Sequence, residues 1–371
     1  MDIQKRAELQ LNSKVVKKWE EINKHAADIQ SLIDEEVQKL EKKCDFVPKE
    51  SEEEENLESQ MKVCVRTRPL LKHEQNAEYL PVVHTSNPHV LVTDPVARSA
   101  RTEGAGFRLN NSIFDVDMAF GPVDDNELVY KSIIHPLLET ASEGGIGTMF
   151  AYGQTGSGKT HTVSGVITRL SQDLFTEKNK NVSIFLSYVQ LLGNTVTDLL
   201  VEDIDFEAES EEEGNKKRNS NVGIMEDKFG KVCLVGAKEV EIMNEDDFLT
   251  NTNEAQSRRS TSVTFKNDTS SRSHAVCKLT FRNKKIRTAE DGQMFLIDLA
   301  GSENAADSQF HDRSRIQETK DINKSLMCLK DCIRNRDENG IFFIELRFSK
   351  TGPVPMYSFF GSTLTIPLIA P

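Results

Sequence analysis

The chain lacks any apolar run long enough to cross a bilayer, which excludes a helical membrane span. Its first residues are charged and carry no hydrophobic h-region, so the chain does not read as secreted. It also lacks an excess of positive charge: 46 Lys and Arg face 59 Asp and Glu, a formal net charge of −13. General nucleic-acid binders are usually basic, so that class is set aside. Cysteine is scattered. Of the six, only Cys328 and Cys332 lie about one helical turn apart, and no His or Cys close in sequence completes a zinc set. Reduced, mostly buried thiols in a cytosolic protein are the expectation. Internal repeats are absent, as is the Asn-Lys-x-Asp string by which a GTPase reads its base.

What is present is led by one short segment. Gly153, Gln154, Thr155, Gly156, Ser157, Gly158, Lys159 and Thr160 form the pattern G-x-x-x-x-G-K-[ST]. It follows an apolar run, Thr148 to Tyr152, that reads as a buried strand, and it opens a segment able to form a helix. In that setting successive backbone N–H groups point inward to hold phosphates, and glycine lets the chain approach without a Cβ clash. The Lys159 ammonium reaches the β- and γ-phosphates, the Thr160 hydroxyl binds Mg²⁺, and the helix offers its positive end.

With 371 residues the chain can bury a full core, in two or so domains or in one large α/β domain with an appendage. Residues 1–47 predict one long helix, with Val15, Trp19, Ile22, Ala26, Ile29, Ile33 and Leu40 on an a/d-like stripe. Two uses are open to that stripe: packing on the neighbouring domain, or a short coiled coil that would make a homodimer. Pro48 ends the helix, and residues 48–60 read as an acidic, solvated linker. Strands are predicted near Val63–Val65, twice within Phe107–Phe120, and at Val182–Val189, Val222–Ile224, Val232–Val235, Ala275–Phe281 and Met294–Ile297. Helices are predicted at Glu245–Arg259 and Ile316–Arg336, and residues 202–220 form a polar surface loop. Interleaved strands and helices around the phosphate loop mean an α/β fold. The expected sheet is central, mixed and mostly parallel, with helices on both faces.

Two further segments carry chemistry. Phe295-Leu-Ile-Asp298-Leu-Ala-Gly301-Ser-Glu303 is a hydrophobic strand that ends on a carboxylate. Asp298 then stands beside the phosphate loop, where it can hold the shell of a Mg²⁺ ion. Gly301 offers a backbone N–H to a γ-phosphate. The other segment, Asn267-Asp-Thr-Ser270-Ser271-Arg272-Ser273-His274, gathers hydroxyls, a guanidinium and an imidazole just before a strand. Hydroxyls can ligate Mg²⁺ or bond a phosphate, and Arg272 can pair with a carboxylate or a phosphate.

Together with Val65-Arg66-Thr-Arg68-Pro69 and Ile322-Asn323-Lys-Ser325-Leu326, these strings closely resemble the kinesin superfamily of microtubule motors, across residues 61 to about 336. The resemblance implies a P-loop NTPase of the kinesin motor fold, an ATP hydrolase that uses ATP and Mg²⁺. Arg66, Arg68 and Pro69 would lie by the adenine, with His161 across the ring. Thr160 and Ser271 would bind the metal, with Asp298 on its shell. Asn267 and Ser270 would line the γ-phosphate, and Gly301 would report it. Arg272 and Glu303 would form the ion pair that closes on ATP and positions the attacking water.

Within the superfamily the chain looks most like the internal-motor, microtubule-depolymerising class, on Ser325 to Arg334, on Ala306 to Arg315, and on a helix that precedes the motor. The pattern departs from that class in having no Lys-Val-Asp between Leu91 and Phe107 and no basic neck. Residues 337–371 diverge from the family, with Gly352, Pro353 and Pro355 where a helix is expected and Pro367 in a would-be strand. The implied partner is the microtubule, met by Arg313, Arg315, Lys320, Lys324, Lys330 and Arg334, with no nucleic acid and no membrane. A local basic patch can steer binding to acidic tubulin despite the negative net charge. The implied location is the cytoplasm and the microtubule cytoskeleton, the spindle included. The rival reading is a non-motile scaffold that binds nucleotide or tubulin without productive turnover.

Overall fold

A computed structural model describes residues 24–44, 61–77, 79–97, 106–176, 179–193, 195–201, 222–226, 232–261, 271–286, 290–302, 320–331 and 363–370. The predicted linker at 48–60 and the polar loop at 202–220 lie outside these residues, as does the first part of the long helix. The described residues fall into two compact units.

The first unit holds helix α1 (Ala26–Cys44), most of strand β1 (Met61–Thr67), the short helix α2 (Lys72–Asn76), and strands β2 (Val83–Ser86), β3 (His89–Ala97), β4 (Phe107–Asp115) and β5 (Met118–Phe120). β2, β3 and β4 form an antiparallel sheet, and β1 pairs in parallel with β5. α1 lies against β2, β3 and β4. An amphipathic helix is held chiefly by the face it buries. Here that face is the predicted stripe: Ile29, Ile33 and Leu40 are buried, each contributing about 1.5–3 kcal/mol if fully withdrawn from water. The described part of the stripe is therefore used within the chain, the first of its two open uses.

In the second unit Asp125 caps helix α3 (Asn126–Val129), its carboxylate accepting from the Leu128 N–H at 2.8 Å. A π-helical turn, Tyr130–Ile134, leads into α4 (His135–Ser142). Then come β6 (Ile146–Ala151), α5 (Lys159–Leu174), β7 (Val182–Leu192), β8 (Thr195–Asp198), β9 (Gly223–Glu226), β10 (Val232–Val235), β11 (Val240–Ile242), α6 (Glu245–Thr261), β12 (His274–Asn283) and β13 (Gly292–Asp298). Residues 320–331 are helical, and β14 (Thr363–Ala370) ends the unit's sheet. The strand order is β11-β7-β12-β13-β6-β14, with β8 on β7, while β9 and β10 form a separate hairpin.

The expectation of a mostly parallel sheet is corrected. β6 pairs in parallel with β13 and β14, but β11–β7, β7–β8, β7–β12 and β12–β13 are antiparallel. The connections give the reason: β7 to β8 and β12 to β13 turn back over a few residues, which only antiparallel neighbours allow. Helices do flank both faces. Gly147 of β6 meets Leu137 of α4, whereas Phe150, three residues on, belongs to a core cluster with Leu326 of the 320–331 helix. Residues three apart in a strand face opposite sides. β14 forms despite Pro367; its ladder with β6 runs over Thr363–Thr365 and ends before the ring that lacks an N–H.

Candidate functional site

The phosphate loop runs from the end of β6 to the start of α5. Gly156 and Gly158 have φ of 78° and 98°, left-handed values that L side chains rarely adopt, so both positions require glycine. Gly158 also precedes the first residue of α5, whose leading N–H groups have no partner within the helix. Lys159 is buried, and its ammonium donates to the carbonyls of Gly153 and Gln154, each at 2.9 Å. Gln154, Thr155, Gly156, Thr160 and His161 are exposed, so the loop presents an open edge. Ser157 is buried, and its hydroxyl has no hydrogen-bond partner among the described residues.

β13 delivers Asp298 to this loop. The Thr160 hydroxyl donates to Asp298 Oδ2 at 2.7 Å. Asp298 is 2% exposed, and its other oxygen, Oδ1, is buried with no hydrogen-bond partner among the described residues. An orphaned carboxylate oxygen beside a P-loop hydroxyl is a donor set that fits a hydrated Mg²⁺ ion, which prefers a few oxygens and keeps much of its water. Thr160, Ser271 and Asp298 are the residues that would hold it.

Past Asp298 the backbone is tied down residue by residue. The Leu299 N–H donates to Ala151 O at 3.2 Å, the Gly301 N–H to Ser271 O at 2.7 Å, and the Ser302 N–H to Gly153 O at 3.1 Å. The Ala300 N–H donates to His274 Nδ1 at 3.1 Å. Thus the phosphate loop, the segment that starts β12 and the segment that follows β13 meet through direct bonds. Ser271 and Arg272 are half-buried there. Asn267, Ser270 and Glu303 lie outside the described residues.

One residue central to the site went unnoticed in the sequence. Arg259, near the end of α6 and 3% exposed, donates from Nη1 to Asp298 Oδ2 at 2.6 Å. It also reaches Ser273, Nε to the hydroxyl at 3.2 Å and Nη2 to the carbonyl at 2.6 Å. Phe248, Thr252, Ala255 and Arg259 fall at four, three and four residue intervals and form the buried stripe of the helix, but with Thr and Arg in it the stripe does not stand out as apolar in the sequence. A guanidinium on such a stripe requires an anion inside.

Arg66, Arg68 and Pro69 belong to the first unit. There Arg68 grips Glu74 with two bonds, at 2.7 and 2.6 Å. Arg68 and the Leu71 N–H together hold the Glu74 carboxyl down at about 2. Of the basic residues expected to meet a microtubule, Lys320, Lys324 and Lys330 are exposed on the 320–331 helix, which buries Leu326. Lys330 stands 5.8 Å from the centre of the Tyr152 ring. Arg313, Arg315 and Arg334 lie outside the described residues.

A family model, the kinesin motor domain, matches residues 66–369. The match continues past residue 336, where the sequence resemblance was drawn to end, and takes in most of β14. It covers well over half of the chain, and the three bonded segments described above all fall within it. The chain therefore belongs to the kinesin motor-domain family.

Proposed function

We propose that the site where β6, α5, β12 and β13 meet binds Mg·ATP and hydrolyses it, and that the loop after Asp298 carries the state of the γ-phosphate to the 320–331 helix. Kinesin motor domains are microtubule-stimulated ATPases, and this chain is one of them. In the proposed assignment Lys159 leaves the Gly153 and Gln154 carbonyls to reach the phosphates, while Thr160, Ser271 and Asp298 would hold the metal. Bound there, the metal would neutralise charge on the β- and γ-phosphate oxygens. Gly301 gives up the Ser271 carbonyl to take a γ-phosphate oxygen, drawing the segment toward the nucleotide. Arg272 and Glu303 close around the attacking water, Asn267 and Ser270 line the γ-phosphate, and His161 meets the base. Positioning and charge neutralisation supply most of the rate in phosphoryl transfer, which suits a site built of backbone donors and fixed charges.

The observation that carries the reading is the set of bonds Thr160–Asp298, Gly301–Ser271 and Ser302–Gly153, which join three segments distant in sequence at one place. Steady-state ATP turnover with and without microtubules tests it. Stimulated turnover supports the motor, and nucleotide binding without stimulation would favour the scaffold reading.

The internal-motor, depolymerising subclass is a narrower proposal. It rests on the string Ser325 to Arg334 and on α1 ahead of the motor. The spindle location belongs to it. Release of tubulin from stabilised microtubules in the presence of ATP decides it. Dimerisation through α1 gains no support from the described stripe, since Ile29, Ile33 and Leu40 are already buried in the chain.

A further inference from the structure

We infer that His274 is a positioning residue that links the loop after Asp298 to the 320–331 helix, through a directed hydrogen-bond chain ending on Ser325. The inference rests on the motor reading above and deepens it by naming the connection between pocket and helix. Its geometry is closed. The Ala300 N–H donates to His274 Nδ1 at 3.1 Å, and His274 Nε2 lies 2.8 Å from Ser325 Oγ. The Ser325 hydroxyl in turn lies 2.6 Å from the Ile322 carbonyl oxygen. A backbone N–H can only donate and a carbonyl oxygen can only accept, so every intermediate role is fixed. Nδ1 carries the lone pair and Nε2 the proton; Nε2–H donates to Ser325 Oγ, and the Ser325 O–H donates to Ile322.

A protonated imidazole would set Nδ1–H against Ala300 N–H. Burial already disfavours the charge, and Arg259 and Lys159, the charged groups that act on the ring, add to it, which agrees with a His274 pKa lowered to about 4. The ring is thus a neutral two-ended connector.

Its placement gives the connector work to do. Ala300 adjoins Gly301, whose N–H is held by Ser271 O at 2.7 Å. When Gly301 exchanges that carbonyl for a γ-phosphate oxygen, the neighbouring peptide shifts and the imidazole feels it one residue away. The far end of the chain is a turn of the helix bearing the exposed Lys320 and Lys324. A half-buried polar chain with every member satisfied is stiff enough to pass such a movement on.

The test uses the full chain and the variants Ser325→Ala, Ser325→Thr, His274→Gln and the double variant His274→Gln/Ser325→Ala. Two readouts are taken: hydrogen exchange of a peptide covering residues 299–302, and the ratio of microtubule-stimulated to basal ATP turnover. Ser325→Ala, which touches neither Ala300 nor the phosphate loop, is expected to raise exchange at 299–302 and lower the stimulation ratio, each about fivefold, the weight of one neutral hydrogen bond. Basal turnover of Ser325→Ala stays near the wild-type value, and Ser325→Thr, which keeps the hydroxyl, restores both readouts. The double variant loses no more than His274→Gln alone, because both changes cut one chain. Wild-type exchange at 299–302 in Ser325→Ala overturns the inference, as do losses that multiply in the double variant. A wild-type protein that microtubules fail to stimulate overturns the motor reading instead, and the exchange readout still decides whether the chain links Ser325 to Ala300.

Discussion

Replacing Arg259 by methionine is expected to destabilise the second unit by about 4 kcal/mol, because it leaves a carboxylate buried without its cation. The magnitude follows from where the pair sits. The Arg259 and Asp298 side chains are 4% and 2% exposed, and their contact is 2.6 Å. An exposed pair would contribute about 0–1 kcal/mol, whereas removing one partner of a buried pair costs about 3–5 kcal/mol. Methionine keeps much of the stem's packing, so the loss reports charge and hydrogen bonding rather than a cavity. In a unit of this size the fall in thermal midpoint is on the order of 10 °C. A second substitution separates the terms. Asp298→Asn in the Arg259→Met background removes the stranded charge and recovers about half the loss, the rest belonging to the two Ser273 bonds that no amide at 298 replaces. Differential scanning calorimetry of the three variants and the wild type, without nucleotide, is the assay. If Arg259→Met falls within about 1 kcal/mol of wild type, or the double variant is no more stable than the single, the buried-pair argument is refuted.

Three other outcomes are expected. Lys159→Ala abolishes nucleotide binding, and Glu303→Ala binds but does not hydrolyse; titration with a fluorescent nucleotide and phosphate release separate the two, and normal turnover by either would contradict the assignment. Because His274 is held neutral at about 4 against a usual 6.5, it takes up a proton only on unfolding as pH falls below 6.5. Stability is full above that pH and declines by roughly 3 kcal/mol down to about pH 4; denaturant titrations should show this loss, and His274→Asn should flatten it. Ile33→Ala empties a fully buried position of α1 and should cost about 2–5 kcal/mol, seen as faster hydrogen exchange across Ala26–Cys44; unchanged exchange would mean the stripe serves another partner.

The phosphate loop and Asp298 were legible because their chemistry is local: a fixed spacing of glycines, Lys159 and Thr160, and a carboxylate at the end of an apolar strand. Arg259 was not, since its role depends on which face of α6 turns inward and on a partner 39 residues away. Sheet direction was hidden for a similar reason. β12 and β13 are buried along nearly their whole length, so their apolar runs look alike in parallel and antiparallel settings. β2 and β3 were missed because β2 spans only four residues, Asn87 and Pro88 break the run between the two strands and Pro95 sits inside β3, and α3 to α4 because a π-turn breaks the helical period. The proline at 367 weighed against β14 in the sequence, yet only the first three residues of that strand face the β6 ladder.

Steady-state ATP turnover by the wild-type chain across a range of microtubule concentrations tests the central claim most directly. The account predicts turnover that rises with microtubule concentration to a plateau and disappears in Lys159→Ala. Turnover that microtubules leave unchanged, or that survives in Lys159→Ala, would contradict it.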